Sequence, residues 1–180
     1  RIVAAWVRTG QSEIEGIWGL IETFYGTFNF QNITPRFSRR DGDAKFKGGD
    51  ELWIKAEKAI KNLIDKKAKD NWIDGPGEAA FYGPKVDFMA KDSIGRSHQV
   101  GTIQVDFVQP SNFGLECVNE EGKREPIVMI HCAIAGSLER FLSVYIEHVA
   151  GNFPLWISPT QISLLPISDK HHDYAKKIEK

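Results

Sequence analysis

The sequence predicts an α+β fold in which an antiparallel sheet is flanked by helices. Two segments before residue 70 place apolar residues at helical spacing, whereas residues 80–107 place them at every second position. In this second region the strands follow one another with short turns between them, which favours antiparallel pairing over a doubly wound parallel sheet. A chain of 180 residues with 42% hydrophobic content is long enough to bury a core of this kind.

Two amphipathic helices are predicted in the first part of the chain. The first runs from Ser12 to Phe30, and the second begins after Gly48-Gly49 with Asp50 as its N-cap. The residues expected to be buried are Ile14, Ile17, Trp18, Ile21, Tyr25 and Phe28 in the first helix and Leu52, Ala56, Ile60, Leu63 and Ile64 in the second.

The segment between these helices is predicted to be a polar loop. It contains Pro35 and five basic residues, namely Arg36, Arg39, Arg40, Lys45 and Lys47. Contact with phosphates is one use of such cations. Charged loops are usually solvated, however, so we expect these side chains to face water.

Two antiparallel strands are expected next, at Phe81 to Lys91 and at His98 to Phe107, with a turn at Asp92-Ser93-Ile94-Gly95 between them. This change from helical to alternating periodicity is the main evidence for the sheet. Asp87 and Asp106 lie on these strands and could supply carboxylates to magnesium, but a structural role is the preferred interpretation.

The second half of the chain predicts further elements. A strand around Gly114 to Asn119 turns into an apolar strand starting at Pro126, which continues as a helix past Phe141. Pro154 to Pro159 is predicted to be a domain boundary. Beyond it, we expect a strand from Gln161 to Pro166 and then a helix capped by Ser168 or Asp169.

Composition limits the classes of function. The formal net charge of −1 gives no global basic field of the kind that attracts nucleic acid, so any RNA contact would be local. Two cysteines, Cys117 and Cys132, do not form a disulfide framework, which is typical of a reducing compartment. With no secretory signal and no apolar stretch long enough to cross a bilayer, we expect a soluble cytoplasmic protein that makes no membrane contact.

The run from Pro126 to Phe141 places polar groups in an apolar context. His131, Glu139 and Arg140 lie among residues that look buried. A buried guanidinium costs several kcal/mol unless an anion meets it. Arg140 therefore needs either a carboxylate, with Glu139 or Asp106 as candidates, or a ligand phosphate that fits its planar fork.

The strand, the sequence Gly-Ser-Leu-Glu-Arg at 136–140 and the helix after it resemble motif 3 of class II aminoacyl-tRNA synthetases. The residues of this block are similar to those of the threonyl branch. Blocks at 75–88 and 99–107 agree with that branch in order and approximate spacing. The resemblance covers about residues 12–180. It implies a partial class II catalytic domain at 1–156 and the first strand and helix of an anticodon-binding domain at 157–180.

The resemblance also implies a function and a set of site residues. The chain would be part of an ATP- and magnesium-dependent ligase that joins threonine to tRNA, homodimeric at full length. Arg140 would hold the terminal phosphate of ATP and serve as the catalytic residue. The remaining matches are Tyr82 and Gln104 at the threonine pocket, Ser137 near bound substrate, and Gln99 and Lys85 near the adenylate.

His131 matches one of three zinc ligands in the threonyl branch. Zinc held by three protein ligands keeps an open position, which in this family is taken to receive the amino and hydroxyl groups of threonine and so to reject valine. The other two ligands are not found in the sequence, so the site is expected to be incomplete. Cys132 is adjacent to His131 and would point to the opposite face of a strand, and His98 is a weak alternative.

The positions of Gln99 and Gln104 allow a physical test. They differ by an odd number, so a regular strand would direct them to opposite faces of the sheet. If both line one site, the strand requires a bulge, and Gly101 is the natural place for it. The alternative is that both glutamines form ordinary cross-strand hydrogen bonds in a half-exposed sheet.

Two family motifs are not recognisable. The opening residues 1–11 stand where the end of motif 2 is expected and do not resemble it, although Arg1 or Arg8 could be a remnant. Motif 1, which carries the dimer contact, is also not found. The alternative function is therefore a non-catalytic synthetase-like module that binds or regulates. An autonomous metal-binding protein is a weaker third hypothesis.

Overall fold

A six-stranded mixed sheet organises the fold of this computed structural model, which describes residues 2–4, 10–30, 33–42, 45–92 and 94–179. In chain order the strands are β1 (Ile2–Ala4), β2 (Ile33–Arg39), β3 (Ile73–Pro76), β4 (Lys85–Lys91), β5 (Ser97–Asp106), β6 (Glu116–Val118), β7 (Arg124–Pro126) and β8 (Val128–Ala133). The sheet order is β1-β8-β5-β4-β2-β3, while β6 and β7 form a separate ribbon. All pairs are antiparallel except β2 with β3.

Three of the helices cover one face of this sheet. The helices are α1 (Gln11–Thr27), α2 (Asp50–Ala68), α3 (Gln109–Asn112), α4 (Leu138–His148) and α5 (His172–Ile178). Buried residues of α1, α2 and α4 share a single hydrophobic core with one face of the sheet, and Trp18 meets Phe88 edge to face with ring centroids 4.9 Å apart. The predicted α+β fold with a largely antiparallel sheet is confirmed.

The predicted buried stripes are confirmed with one exception. All six residues proposed for α1 are buried, as are four of the five proposed for α2. Leu52 is 40% exposed, and the adjacent Trp53 takes the buried position, where its indole nitrogen donates to the carbonyl oxygen of Lys47. Asp50 is the first residue of α2, not its N-cap, because Gly49 occupies the capping position.

The polar loop predicted between the helices is wrong, since residues 33–39 form β2. Ile33, Pro35 and Phe37 alternate as strand residues do, and Pro35 and Phe37 are buried. The proline is tolerated because β3 pairs with β2 only from Arg36 onward, so the strand has a neighbour on one side at Pro35. The Arg36 side chain consequently lies on one face of the sheet, where it is only 21% exposed.

The later elements differ in detail from the prediction. The turn at Glu120-Glu121-Gly122 leads first into the short strand β7 and then into β8. The strand predicted at 161–166 is wrong, because these residues form no ladder with any described segment and strands require a partner. The helix after them is present as α5, preceded by one 3₁₀ turn at Asp169–His171.

Several expectations concern residues that the structure does not describe. Arg1, Arg8 and Ser93 lie outside the described residues. The rest of the predicted turn between β4 and β5 is organised by Asp92, whose carboxylate accepts the backbone N–H groups of Ile94 and Arg96. The domain boundary near residue 156 stays a prediction. Within the described ranges, no helix is both long and apolar enough to span a membrane.

Two substitutions in α2 test the assignment of its buried face. Ile64 is fully buried, so Ile64→Ala should lower the free energy of unfolding by about 2–5 kcal/mol through lost burial and the cavity left behind. Ile54 is 58% exposed on the same helix, and Ile54→Ala should change it by less than about 0.5 kcal/mol. Urea unfolding measures both, and equal effects would contradict the assignment.

Candidate active site

The face of the sheet opposite the three helices is polar. Strand alternation directs a set of hydrogen-bonding side chains to it, namely Arg36, Ser38, Lys85, Asp87, Gln99, Thr102, Gln104, Asp106 and His131. The intervening residues Val86, Ile103, Val105 and Ile130 point into the hydrophobic core. One face of the sheet therefore packs into the hydrophobic core, and the other carries the polar groups.

Asp87 is the centre of this polar face and is fully buried. Its Oδ2 accepts from the guanidinium of Arg36 at 3.0 Å, the hydroxyl of Ser38 at 2.7 Å and the ammonium of Lys85 at 2.7 Å. Its Oδ1 accepts from the Gln99 amide at 2.8 Å and the Thr102 hydroxyl at 2.9 Å. Both carboxylate oxygens are thus used within the protein, which agrees with a structural role.

The electrostatic balance keeps Asp87 ionised. Burial by itself would raise the pKa of this carboxyl, but the hydrogen bonds and charge of Lys85, with the bonds from Ser38 and Arg36, outweigh it and hold the pKa below its usual value. Lys85, which was predicted to lie near the adenylate, is largely buried beside Asp87.

The bulge predicted from the positions of the two glutamines is present. Phe88 pairs with Gly101 and Met89 pairs with Gln99, so Val100 is the extra residue in β5. The side chains of Gln99 and Thr102 consequently reach the same carboxylate oxygen, and the Gln104 amide lies 3.4 Å from the Thr102 hydroxyl. Gln99 and Gln104 therefore share the polar face.

Tyr82 extends this hydrogen-bond chain toward a second group. Its hydroxyl donates to Oε1 of Gln104, and its ring centroid lies 5.7 Å from that of His131. An open depression of about 810 Å³ lies here. Its lining consists of Tyr82, Asp106, Gln109, Phe113, Leu115, Met129 and His131. Tyr82, Gln104 and His131, selected from separate parts of the sequence, thus converge at one place.

His131 is held by a buried carboxylate. Its Nε2 lies 2.9 Å from Oδ2 of Asp106, whose Oδ1 accepts the backbone N–H groups of Val108 and Gln109. A carboxylate on one imidazole nitrogen is the usual support of a metal-binding histidine, because it orients the ring and leaves the other nitrogen available. In the described ranges, however, no three His, Cys, Asp or Glu side chains cluster as metal ligands require.

The two alternative partners of His131 are placed elsewhere. Cys132 packs against the hydrophobic core on the opposite face of β8, as strand alternation predicts. His98 lies near the other end of β5, where its Nε2 is 2.9 Å from the carboxylate of Asp92. The described residues therefore do not complete a zinc site by themselves.

The expectation that Arg140 and Glu139 are buried is wrong, since both are exposed in the first turn of α4. The Arg140 guanidinium lies 3.4 Å from the carbonyl oxygen of Gln99, and no carboxylate among the described residues pairs with it. Asp106, one proposed partner, binds His131 instead. The cation is available to an external anion at the edge of the polar face.

Ser137 has a role that the sequence did not reveal. It is the N-cap of α4, and its hydroxyl accepts the backbone N–H of Arg140 at 3.2 Å. Sequence reasoning also missed Thr102 and Arg36 as members of the polar network. Thr102 could have been found, because it lies two residues before Gln104 on the same strand face.

The comparisons with known proteins agree with this architecture. Residues 3–149 match the family model described as tRNA synthetase class II core domain (G, H, P, S and T). The chain is 45% identical to a threonine–tRNA ligase of Chlorobium limicola over 88% of its own length and 24% of the relative's. It is 44% identical to that of Acetivibrio thermocellus over 94% of its length and 26% of the relative's.

Two solved structures are similar throughout the chain. The RNA binding domain of threonyl-tRNA synthetase from Cryptosporidium parvum Iowa II matches with a TM-score of 0.86 at 39% identity, covering 95% of this chain and 42% of that one. A putative threonyl-tRNA synthetase from Aeropyrum pernix matches with a TM-score of 0.78 at 30% identity, covering 98% of this chain and 42% of that one. The chain thus spans about a quarter of the length of the curated relatives it matches.

The role of Asp87 predicts a pH-dependent effect on stability. Asp87→Asn removes the anion shared by the largely buried Lys85 and the half-buried Arg36, which keeps only Glu78 at 3.7 Å among the described carboxylates, and should lower the free energy of unfolding by about 3 kcal/mol at pH 7. Because the folded-state pKa is lowered, the carboxylate contributes fully above about pH 5, and its contribution is lost as the pH falls below about 4. The difference in the free energy of unfolding between wild type and Asp87→Asn should therefore become smaller as the pH falls.

Asp74→Asn is the matched control, because Asp74 forms an exposed pair with Arg39 and should contribute less than about 1 kcal/mol. Urea unfolding from pH 7 to pH 3 measures both variants. The assigned role would be contradicted if both variants lost the same free energy of unfolding, or if the loss for Asp87→Asn became larger in acid.

Proposed function

The chain belongs to the class II tRNA synthetase core family, and from this premise we propose that it forms part of a threonine–tRNA ligase. Such an enzyme activates threonine with ATP and then passes the threonyl group to tRNA. The observation that carries the proposal is the bulge in β5, because it brings Gln99 and Gln104 to one face beside Tyr82 and His131. The two curated relatives described above, at 45% and 44% identity and both named threonine–tRNA ligase, support the choice of amino acid.

We assign the nucleotide to the end of the polar face where Gln99 meets α4. Arg140 would hold the terminal phosphate of ATP, since its guanidinium is exposed and has no carboxylate partner among the described residues. Gln99 and Lys85 would lie nearer the adenylate. In the reaction a carboxylate oxygen of threonine forms a bond to the α-phosphorus while the bond to the leaving pyrophosphate breaks. The protein's part is to position both reactants and to balance charge.

We assign threonine to the depression beside Tyr82. The Tyr82 hydroxyl and the Gln104 amide form a polar wall there, and Ser137 would approach the substrate from the start of α4. A site that hydrogen-bonds the substrate hydroxyl discriminates strongly against an analogue that lacks it, such as valine. Asp106 and Asp87 serve this wall indirectly, by holding His131 and Thr102 in place.

The cofactors follow from the family and are part of the same proposal. Magnesium would accompany the phosphates of ATP. Asp87 is not assigned to it, because both of its carboxylate oxygens already accept hydrogen bonds from protein donors. His131 would supply one ligand to zinc, with the bond to Asp106 orienting its ring. A complete zinc site would need ligands beyond the described residues, so no step of the reaction is assigned to the metal.

The partners extend the proposal to the longer protein. We propose tRNA as the acceptor of the threonyl group, which agrees with the description of the Cryptosporidium neighbour as an RNA binding domain. A homodimer at full length and a cytoplasmic location stay predictions. Threonine and ATP are the remaining substrates.

Arg140→Ala tests the phosphate assignment. Removal of a charge-stabilising donor from a phosphoryl-transfer site should lower threonine-dependent ATP–pyrophosphate exchange by about 10²-fold. Arg124→Ala is the control, because Arg124 lies on the exposed ribbon strand β7 and should leave exchange unchanged. Equal exchange by both variants would contradict the assignment. No exchange by the folded wild-type chain, with and without zinc, would mean that the chain is either an incomplete part of the catalytic domain or a non-catalytic module.

Tyr82→Phe tests the threonine pocket. The substitution removes only the hydroxyl that binds Gln104, so it should raise the KM for threonine about tenfold and leave the KM for ATP unchanged. Tyr174→Phe, at a position 67% exposed on α5, should alter neither value. A change in the KM for ATP alone would place threonine elsewhere.

A further inference from the structure

The bulge in β5 requires support for its backbone. Val100 has no partner on β4, and its side chain points into the core with 1% exposure. A bulge breaks the regular ladder, so the backbone groups around it need other hydrogen-bond partners. The carbonyl oxygen of Val100 is one such group, and that of Ile134, just beyond the end of β8, is another.

Tyr25 of α1 reaches both of these carbonyl oxygens. Its hydroxyl lies 2.6 Å from the carbonyl oxygen of Val100 and 2.8 Å from that of Ile134. The side chain is 2% exposed and approaches from the helical side of the sheet. Burial raises the pKa of Tyr25 well above its usual value, and the protonated hydroxyl donates its hydrogen between the two oxygens.

The two backbone segments joined by Tyr25 cross closely. A Cβ atom at Gly136 would lie 2.9 Å from the carbonyl oxygen of Val100, and one at Gly101 would lie 3.0 Å from that of Ile134. Gly136 has φ of +62°, in the region that favours glycine. The fit between the bulge and the 134–136 segment therefore tolerates little displacement.

Both segments end in groups assigned to the nucleotide. Gln99 immediately precedes the bulge, and the 134–136 segment leads to the N-cap Ser137 and to Arg140. The Arg140 guanidinium lies 3.4 Å from the carbonyl oxygen of Gln99, so the separation of these two groups depends on how the segments are held.

We propose that Tyr25 is a positioning residue whose hydroxyl fixes the bulge of β5 against the 134–136 segment and so sets the separation of Gln99 and Arg140. Tyr25 does not itself contact the polar face, since the sheet lies between. The structural half of this inference stands on the hydrogen bonds alone. The half that concerns ATP rests on the proposed function.

Tyr25→Phe and Tyr145→Phe form a matched pair of variants. Each removes one hydroxyl from a buried tyrosine of the same aromatic cluster, in which both rings contact Phe141. The Tyr145 hydroxyl is buried and has no hydrogen-bond partner in the described part of the chain. Both variants therefore lose a buried hydroxyl, but only Tyr25→Phe also loses the hydrogen bonds to Val100 and Ile134.

Amide hydrogen exchange and ATP binding provide two separable readouts. Tyr25→Phe should accelerate exchange about tenfold within 99–102 and 134–137 without a global change, and should weaken ATP binding about fivefold to tenfold by calorimetry. Tyr145→Phe should change neither quantity.

The outcomes distinguish this inference from the proposed function. Unchanged local exchange in Tyr25→Phe, or the same changes in Tyr145→Phe, would overturn the positioning role. Faster local exchange with unaltered ATP affinity would overturn its link to the nucleotide. If the wild-type chain binds no ATP, the proposed function fails, and the exchange measurement still decides whether Tyr25 holds the bulge.

Discussion

The buried carboxylate of Asp87 is the constraint on which the rest of the polar face depends. An ion removed from water costs several kcal/mol unless charges and hydrogen-bond donors surround it. Here the donors come from three strands: Arg36 and Ser38 from β2, Lys85 from β4, and Gln99 and Thr102 from β5. A shift of β2 or β5 by one residue would reverse the face of its donors and remove their hydrogen bonds to the charge. The register of the sheet and the location of the site are therefore determined together.

The bulge at Val100 converts this structural network into a candidate site. Without it, Gln99 would point into the core while Thr102 and Gln104 remained on the polar face. The apolar side of the sheet supports the distortion, because the same helices that bury Ile103 and Val105 also bring the Tyr25 hydroxyl to the bulge. Arg140 and Ser137 then enter from α4, whose start lies against the bulge. Fold stability and site geometry thus share residues on both faces of one sheet.

The sequence predicted the features that depend on the spacing of residues within one helix or one strand. The buried stripes of α1 and α2 follow helical spacing, and the odd separation of Gln99 and Gln104 required a bulge that is present. It did not predict β2, because Pro35 and the neighbouring arginines resemble a loop, whereas Arg36 in fact pairs with Asp87 across the sheet. That partner is distant in the sequence, and local propensity carries no information about it.

Two other errors have the same origin in tertiary context. Arg140 follows an apolar strand and was expected to be buried, yet the chain turns at Gly136 and the helix begins at the surface. Residues 161–166 have the alternation of a strand, but a strand forms only where another supplies hydrogen bonds. Local pattern therefore predicted the buried stripes and the bulge more reliably than the exposure of residues at the edges of the sheet.

The central claim is that the polar face of the sheet binds threonine and ATP at adjoining places. The most direct test follows the side-chain amide signals of Gln99 and Gln104 in ¹⁵N NMR spectra during separate titrations, with the exposed Gln161 as reference. We expect ATP to move the Gln99 signal and threonine to move the Gln104 signal, while the Gln161 signal stays fixed. Binding of both ligands with neither signal displaced would contradict it and place the site elsewhere on the protein.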